Sequence, residues 1–143
     1  MFTIRASSLP ELFDCPARWE AIHIRKLRIP RSGVAQLGTA LHASTAAFDA
    51  ARLRGADISP DEAAGVAVDA IYRPDEDVSW GDGLTPAKAE KVAVALNARY
   101  CNTIAPAQEY IGVEVRCETL EITDLGIIFT GITDRVWPGN LPP

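Results

Sequence analysis

Two carboxylates near the end of the chain, Glu114 and Asp134, are the residues whose placement first suggests chemistry. They lie in the stretch 110–137, YIGVEVRCETLEITDLGIIFTGITDRVW. Apolar and polar residues alternate through Ile111, Val113, Val115 and Cys117, the period of two of a half-buried strand. Turn chemistry follows at Thr123-Asp124-Leu125-Gly126, and then a second β-rich run over 127–136. A hairpin centred on Asp124 predicts Glu114 across from Asp134, on one face of one ladder. Like charges so placed repel. A chain that holds them there supplies a cation, keeps one protonated, or pairs them elsewhere. A register shifted by one residue would send them to opposite faces.

Helices must position these strands. Ser8-Leu9-Pro10-Glu11 reads as a capping box opening a short helix that Pro16 ends. Asp14 or Cys15 then caps a second helix, with Pro16 near its first position, running to about Leu27. Trp19, Ile22 and Lys26 share one of its faces, flanked by Arg18 and Arg25. A long helix is predicted over 34–54, with Val34, Leu37, Leu41 and Phe48 as its core seam. Gly38, His42, Thr45 and Asp49 form the neighbouring stripe. There Gly38 predicts close approach of another backbone, and Gly55 a C-terminal cap. Ser59-Pro60-Asp61-Glu62 is a second capping box, for a helix lasting to Tyr72. An acidic, glycine-bearing loop covers 73–84. Thr85-Pro86 opens a fourth long helix through Val92, Leu96 and Tyr100, which Ala105-Pro106 stops. Helices followed by a lone hairpin make a marginal ribbon. The ending Pro138-Gly139-Asn140-Leu141-Pro142-Pro143 supplies neither a third strand nor a helix. Residues 1–143 are therefore expected to be the front part of a larger α/β design.

At 143 residues and 48% hydrophobic, the chain has enough material for one ordinary core. No apolar run approaches the ~20 residues of a membrane helix, and the N-terminus is not a secretory signal. Cys15, Cys101 and Cys117 are odd in number and widely spaced. They fit reduced thiols in a cytoplasm rather than a disulfide frame. The net charge of −5 argues against simple coating of nucleic acid, but it is unevenly placed. Residues 1–32 hold six basic against three acidic groups, leaving eight basic against sixteen acidic over the rest. Such asymmetry could bring a phosphate to an acidic, metal-binding centre, or be a solvated helix face.

The ordered set Ser7-Ser8-Leu9, Phe13-Asp14-Cys15-Pro16, Trp19, Gly38-Thr39-Ala40-Leu41-His42, Val113-Glu114-Val115 and Gly131-Ile132-Thr133-Asp134-Arg135 resembles the N-terminal part of RecB-like nucleases of the PD-(D/E)xK superfamily. The resemblance implies an α/β (α+β) domain with a restriction-endonuclease-like core, incomplete here: N-terminal helices followed by an antiparallel β-hairpin. It implies a divalent-metal-dependent DNA nuclease, with His42 and Asp134 as ligands of Mg²⁺ or Mn²⁺ and Glu114 as the accessory catalytic acid. Arg18, Arg25 and Arg135 would contact DNA. Cys15 matches the first of four cluster cysteines in some relatives, but the other three have no counterpart, so no iron–sulfur cluster is expected. The D/E-x-K strand of the family should follow Asp134 by about a dozen residues, and the sequence stops at Pro143. Hence the domain is expected to be truncated and inactive as a 143-residue chain. The alternative is a non-catalytic remnant that binds DNA or a protein.

The chemistry supports the same residue types. Phosphodiester hydrolysis uses a hard cation to polarise phosphate and to acidify a bound water, and carboxylates suit Mg²⁺. A histidine ligand biases the site toward Mn²⁺. Taken alone, His42 also reads as a boundary residue of an amphipathic helix, and Arg135 as the partner of a surface acid. Trp19, Trp80 and Trp137 read as packing. The strand bearing Asp134 is expected to leave an open edge, predicting a homo-oligomer with residues 127–137 at or near the contact.

Overall fold

Strand β1 (Phe2–Arg5) opens the computed structural model, which describes residues 1–81 and 83–140. A 3-10 turn, Ala6–Ser8, leads into helix α1 (Leu9–Asp14), and α2 (Pro16–His23) follows after Cys15. Pro16 takes the first position of α2, where its missing N–H costs nothing. The capping box expected at Ser8 does not form. The Ser8 hydroxyl donates to the Arg5 carbonyl instead, and Glu11 is held by Arg18 and His23. Helix α2 also stops short of Leu27. Lys26 takes a left-handed φ of 57°, and the Leu27 N–H turns back to the Ala21 carbonyl.

Strand β2 (Arg31–Ser32) runs straight into α3 (Gly33–Leu53), whose cap is the Ser32 hydroxyl accepting from the Ala35 N–H. Helix α4 (Pro60–Tyr72) begins with both halves of the Ser59/Glu62 box in place. Hydrogen bonds from Ser59 hold the Glu62 carboxyl below its usual range. Within the acidic loop, β3 (Val78–Ser79) pairs in parallel with β2. Helix α5 (Pro86–Arg99) is capped by Thr85. It continues through a π-helical turn, Tyr100–Ile104, into a 3-10 turn, Ala105–Ala107.

The last third is β-rich: β4 (Gly112–Arg116), β5 (Leu120–Ile122), β6 (Ile127–Thr130) and β7 (Ile132–Val136). The turn falls at 123–126 as expected, closed by Gly126 at φ 64°. Beyond it the hairpin is split. Strand β5 pairs antiparallel with β6, from Ile122 opposite Ile127 to Leu120 opposite Phe129, whereas β4 pairs with β7 in a separate ladder. The expectation of a bare ribbon is also corrected. Strand β1 adds to β6 in parallel, Phe2 opposite Ile127 through Arg5 opposite Thr130, so the sheet order is β1-β6-β5. Residues 127–130 thus lie inside a sheet and offer no open edge. Of the proline-rich ending, Pro138–Asn140 forms a 3-10 turn, while residues 141–143, like Asp82 of the acidic loop, lie outside the described residues.

Contacts group the described chain into two compact units, one of Met1–Ile29 and Glu114–Asp134, the other of Pro30–Val113 and Arg135–Pro143. In the first unit Trp19 is buried with the Phe2 ring edge-on to it at 5.7 Å, and Ile4 of the central β1–β6 pairing is buried as well. The second unit is a layer of α3, α4 and α5 packed through small side chains. Ala40, Ala67, Ile71, Ala89 and Ala93 form one buried cluster, edged by Leu37, Leu41, Trp80 and Leu84. Phe48, Ala63, Cys101 and Ala105 form another. Alanines let helix axes come close, so polar ties fit between them. The Asn97 amide donates to the Pro60 carbonyl at 2.9 Å, and the Gln36 amide to the Ala70 carbonyl at 2.7 Å. Val34, expected in the core seam, is 70% exposed, and the buried residues of α3 include Ala40, Ser44, Phe48 and Ala51 instead. Among the described residues no helix is long and apolar enough to cross a membrane.

The glycine that a close neighbour requires is Gly33, not Gly38. A Cβ on Gly33 would lie 2.7 Å from Cε3 of Trp80, whereas one on Gly38 would meet nothing within 4 Å. Gly33→Ala is therefore expected to cost about 1–3 kcal/mol by displacing the indole. Gly38→Ala, in an open helix interior, is expected to stabilise by about 1 kcal/mol. Urea unfolding of the two variants checks both signs.

Candidate metal centre

Strands β4 and β7 carry the two carboxylates. At one end of the ladder the Ile111 N–H donates to the Val136 carbonyl at 2.8 Å, and at the other the Cys117 N–H donates to the Gly131 carbonyl at 3.0 Å. The strands are therefore antiparallel. Six residue steps from 111 to 117 face five from 131 to 136, so β4 contains one extra residue, a β-bulge. Counted from the first bond, Val113 stands opposite Asp134; counted from the second, Glu114 does. The single-register hairpin expected from the turn is corrected accordingly. Glu114 is the β4 residue with a left-handed backbone, φ 52°. A side chain there costs roughly 1–2 kcal/mol relative to ordinary backbone, and a bulge re-aims the side chain that it carries.

His42 lies mid-way along α3 and is exposed, as are Glu114 and Asp134. One ligand atom from each of these three residues lies within 4.8 Å of the others. Oxygen and nitrogen ligands at ~2.0–2.4 Å from an ion end up at most ~4–5 Å apart. Two carboxylates and one imidazole, so spaced, fit a hard divalent cation. The two acids repel unless positive charge joins them, which is the condition such an ion would meet.

The neighbour of Asp134 in sequence is fixed by a polar cluster inside the second unit. Asp49 of α3 is fully buried, and its Oδ2 accepts from Arg135 Nε at 2.7 Å. The Tyr100 hydroxyl donates to the same oxygen. Arg135 also donates through Nη2 to the Thr45 hydroxyl at 3.3 Å, and its guanidinium lies 5.6 Å from the centre of the Tyr110 ring. The phenol oxygens of Tyr100 and Tyr110 are 3.3 Å apart, and the Trp137 ring packs edge-on to Tyr110 at 5.2 Å. Arg52 stands 3.8 Å from Asp49 Oδ1, beyond hydrogen-bond length, so that buried oxygen has no hydrogen-bond partner among the described residues. Burial pushes the Tyr100 phenol well above its ordinary range, and its bond to Asp49 adds to the rise. For Arg135, burial works against the charged form, but Asp49 and Tyr100 more than offset it. Burial, with the Asp49 charge, likewise raises the Cys101 thiol.

The arginines expected at DNA divide. Arg18 and Arg25 are exposed, at 64% and 68% of their side chains, and pair with Glu11 and Glu20. Arg135 points inward with 10% of its side chain exposed. Its guanidinium satisfies a buried carboxylate, which a ligand could take only by leaving Asp49 uncompensated. Sequence reasoning placed Asp49 on the His42 stripe but assigned it no partner. The signal was an aspartate two turns after the histidine, on a face otherwise made of small and apolar residues.

Removing the Tyr100 hydroxyl leaves Asp49 short of a donor, so Tyr100→Phe is expected to cost about 1–3 kcal/mol near neutral pH. Because folding raises this phenol's pKa, its contribution is complete below the ~10 of a free tyrosine and is lost as pH rises through the higher folded value. The gap between wild type and variant in urea unfolding should hold from neutral pH to about 9 and shrink above about 10.

No curated protein and no solved structure matches the chain. A model of the PD-(D/E)XK nuclease superfamily does match, over residues 3–140. The matched range takes in α3 with His42, β4 with Glu114 and β7 with Asp134. The chain therefore belongs to the PD-(D/E)XK nuclease superfamily, a group of nucleases that use divalent metals.

Proposed function

We propose that this is a DNA nuclease domain of RecB-like type, in which His42 and Asp134 hold Mg²⁺ or Mn²⁺ and Glu114 is the accessory acid beside them. The observation that carries the reading is the spacing of the three ligand atoms, within 4.8 Å of one another, on residues far apart in sequence. An ion there would polarise a phosphate oxygen and acidify a bound water. His42 contributes a neutral imidazole nitrogen from a rigid helix, and Asp134 a carboxylate from a strand. Glu114, re-aimed by its bulge, offers a carboxylate oxygen that can accept a proton from an attacking water or orient it. Arg18 and Arg25 are suited to phosphate. Exposed ion pairs such as theirs are worth only ~0–1 kcal/mol, so exchanging Glu11 or Glu20 for a DNA phosphate costs little.

Titration of the chain with Mn²⁺ by calorimetry tests the site. Wild type is expected to bind, and His42→Ala and Asp134→Ala to bind at least tenfold more weakly. Equal binding by all three would remove the metal assignment. The 143 residues contain no lysine after Lys91, and the resemblance places the lysine of the D/E-x-K strand beyond Asp134. As a purified polypeptide the chain is thus expected to bind Mn²⁺ yet leave linear DNA uncut over hours. Metal-dependent cleavage by this polypeptide would mean that other residues carry the catalysis.

A further inference from the structure

We propose that Asp49 is a positioning residue for the metal centre, acting through Arg135 to hold Asp134 in place; the proposal rests on the metal reading given above. Asp134 and Arg135 are consecutive, so their Cα atoms are ~3.8 Å apart, and whatever fixes one largely fixes the other. Arg135 is fixed by two residues of α3, Asp49 and Thr45, at 2.7 and 3.3 Å. Thr45 in turn donates to the carbonyl of His42 at 3.1 Å. The helix that carries the histidine therefore also anchors the strand residue next to the aspartate. In a strand, successive side chains point to opposite faces, so an inward Arg135 sets its neighbour outward. Asp134 is exposed, as this requires.

The energetics favour a device of this kind over general packing. A buried ion pair contributes little net stability compared with apolar residues of the same volume, but it defines one geometry. Three donors or near-donors converge on Asp49: Arg135 Nε, the Tyr100 hydroxyl and Arg52 Nη1. The guanidinium also lies over the Tyr110 ring, and Trp137, two residues past Arg135, packs on Tyr110. The end of β7 is thus held at 135 and at 137, immediately beyond Asp134. Residues that orient metal ligands without touching the metal commonly change affinity by 10–100-fold.

The test is Mn²⁺ affinity by calorimetry on the intact chain, read beside stability from urea unfolding. Asp49→Asn and Arg135→Met should each weaken Mn²⁺ binding about tenfold. The double variant should lose no more than either single one, because the pair acts as a unit. Thr45→Val, which removes one bond and leaves no buried charge unpaired, should fold and weaken binding about two- to threefold, and it decides the matter if the Asp49 or Arg135 variants do not fold. Gln36→Ala provides the stability control. It removes the 2.7 Å bond from the Gln36 amide to the Ala70 carbonyl and leaves Asp49 and Arg135 untouched, so it should destabilise the fold and keep wild-type Mn²⁺ affinity. Wild-type affinity in Asp49→Asn, Arg135→Met and Thr45→Val, or an equal loss in Gln36→Ala, would overturn the proposal. Failure of the underlying metal reading looks different: His42→Ala would then bind Mn²⁺ as wild type does, or wild type would not bind at all.

Discussion

A carboxylate with no exposed surface, Asp49, is the constraint on which this structure turns. A buried charge is tolerated only when it is paired and hydrogen-bonded. Its counter-charge comes from Arg135, 86 positions later in the chain. Satisfying Asp49 therefore obliges the last strand to return to the middle of α3, and Tyr100 must turn its hydroxyl inward at the end of α5. The π-helical turn at Tyr100–Ile104 and the 3-10 turn after it lie where those obligations meet. Arg52 ties the second of these turns back to α3. On the reading proposed above, chemistry near His42 would then depend on an interaction that itself touches no substrate.

The alanine-rich helical layer complements that arrangement. Ala40, Ala67, Ala89 and Ala93 are fully buried, so α3, α4 and α5 meet at short range and leave little apolar volume per contact. Polar side chains supply the specificity that large apolar ones supply elsewhere: Asn97 to Pro60 and Gln36 to Ala70. Each satisfies a buried group, and each would leave one unsatisfied if truncated. The β-rich third is stabilised differently, with β6 flanked by β1 and β5.

Local signals in the sequence were legible because local chemistry creates them. The Ser59/Glu62 box, the prolines opening α2, α4 and α5, and Gly55 at φ 67° all depend on residues within one turn. Signals that needed a distant partner were not legible. The box at Ser8 failed because Arg18 and His23 compete for Glu11. Gly38 was singled out by its place in a helix, but the tight position is Gly33, made so by a tryptophan 47 positions on. Strand β1 is four residues long and pairs in parallel across more than a hundred residues, which no local pattern announces. At the centre itself, residue types were readable and their grouping was inferred from the family pattern. The bulge at Glu114 was not readable, since a glutamate carries no sign of a left-handed backbone.

The central claim is that one ion is shared by a helix residue and two strand residues. Paramagnetic broadening by substoichiometric Mn²⁺ in the amide spectrum of the labelled protein tests it most directly. The account predicts that broadening begins together at His42 and its α3 neighbours, at 113–115 and at 133–135, and that Asp134→Ala abolishes all three at once. Broadening centred instead on the acidic loop at 75–77, or at 113–115 and 133–135 without α3, would contradict it.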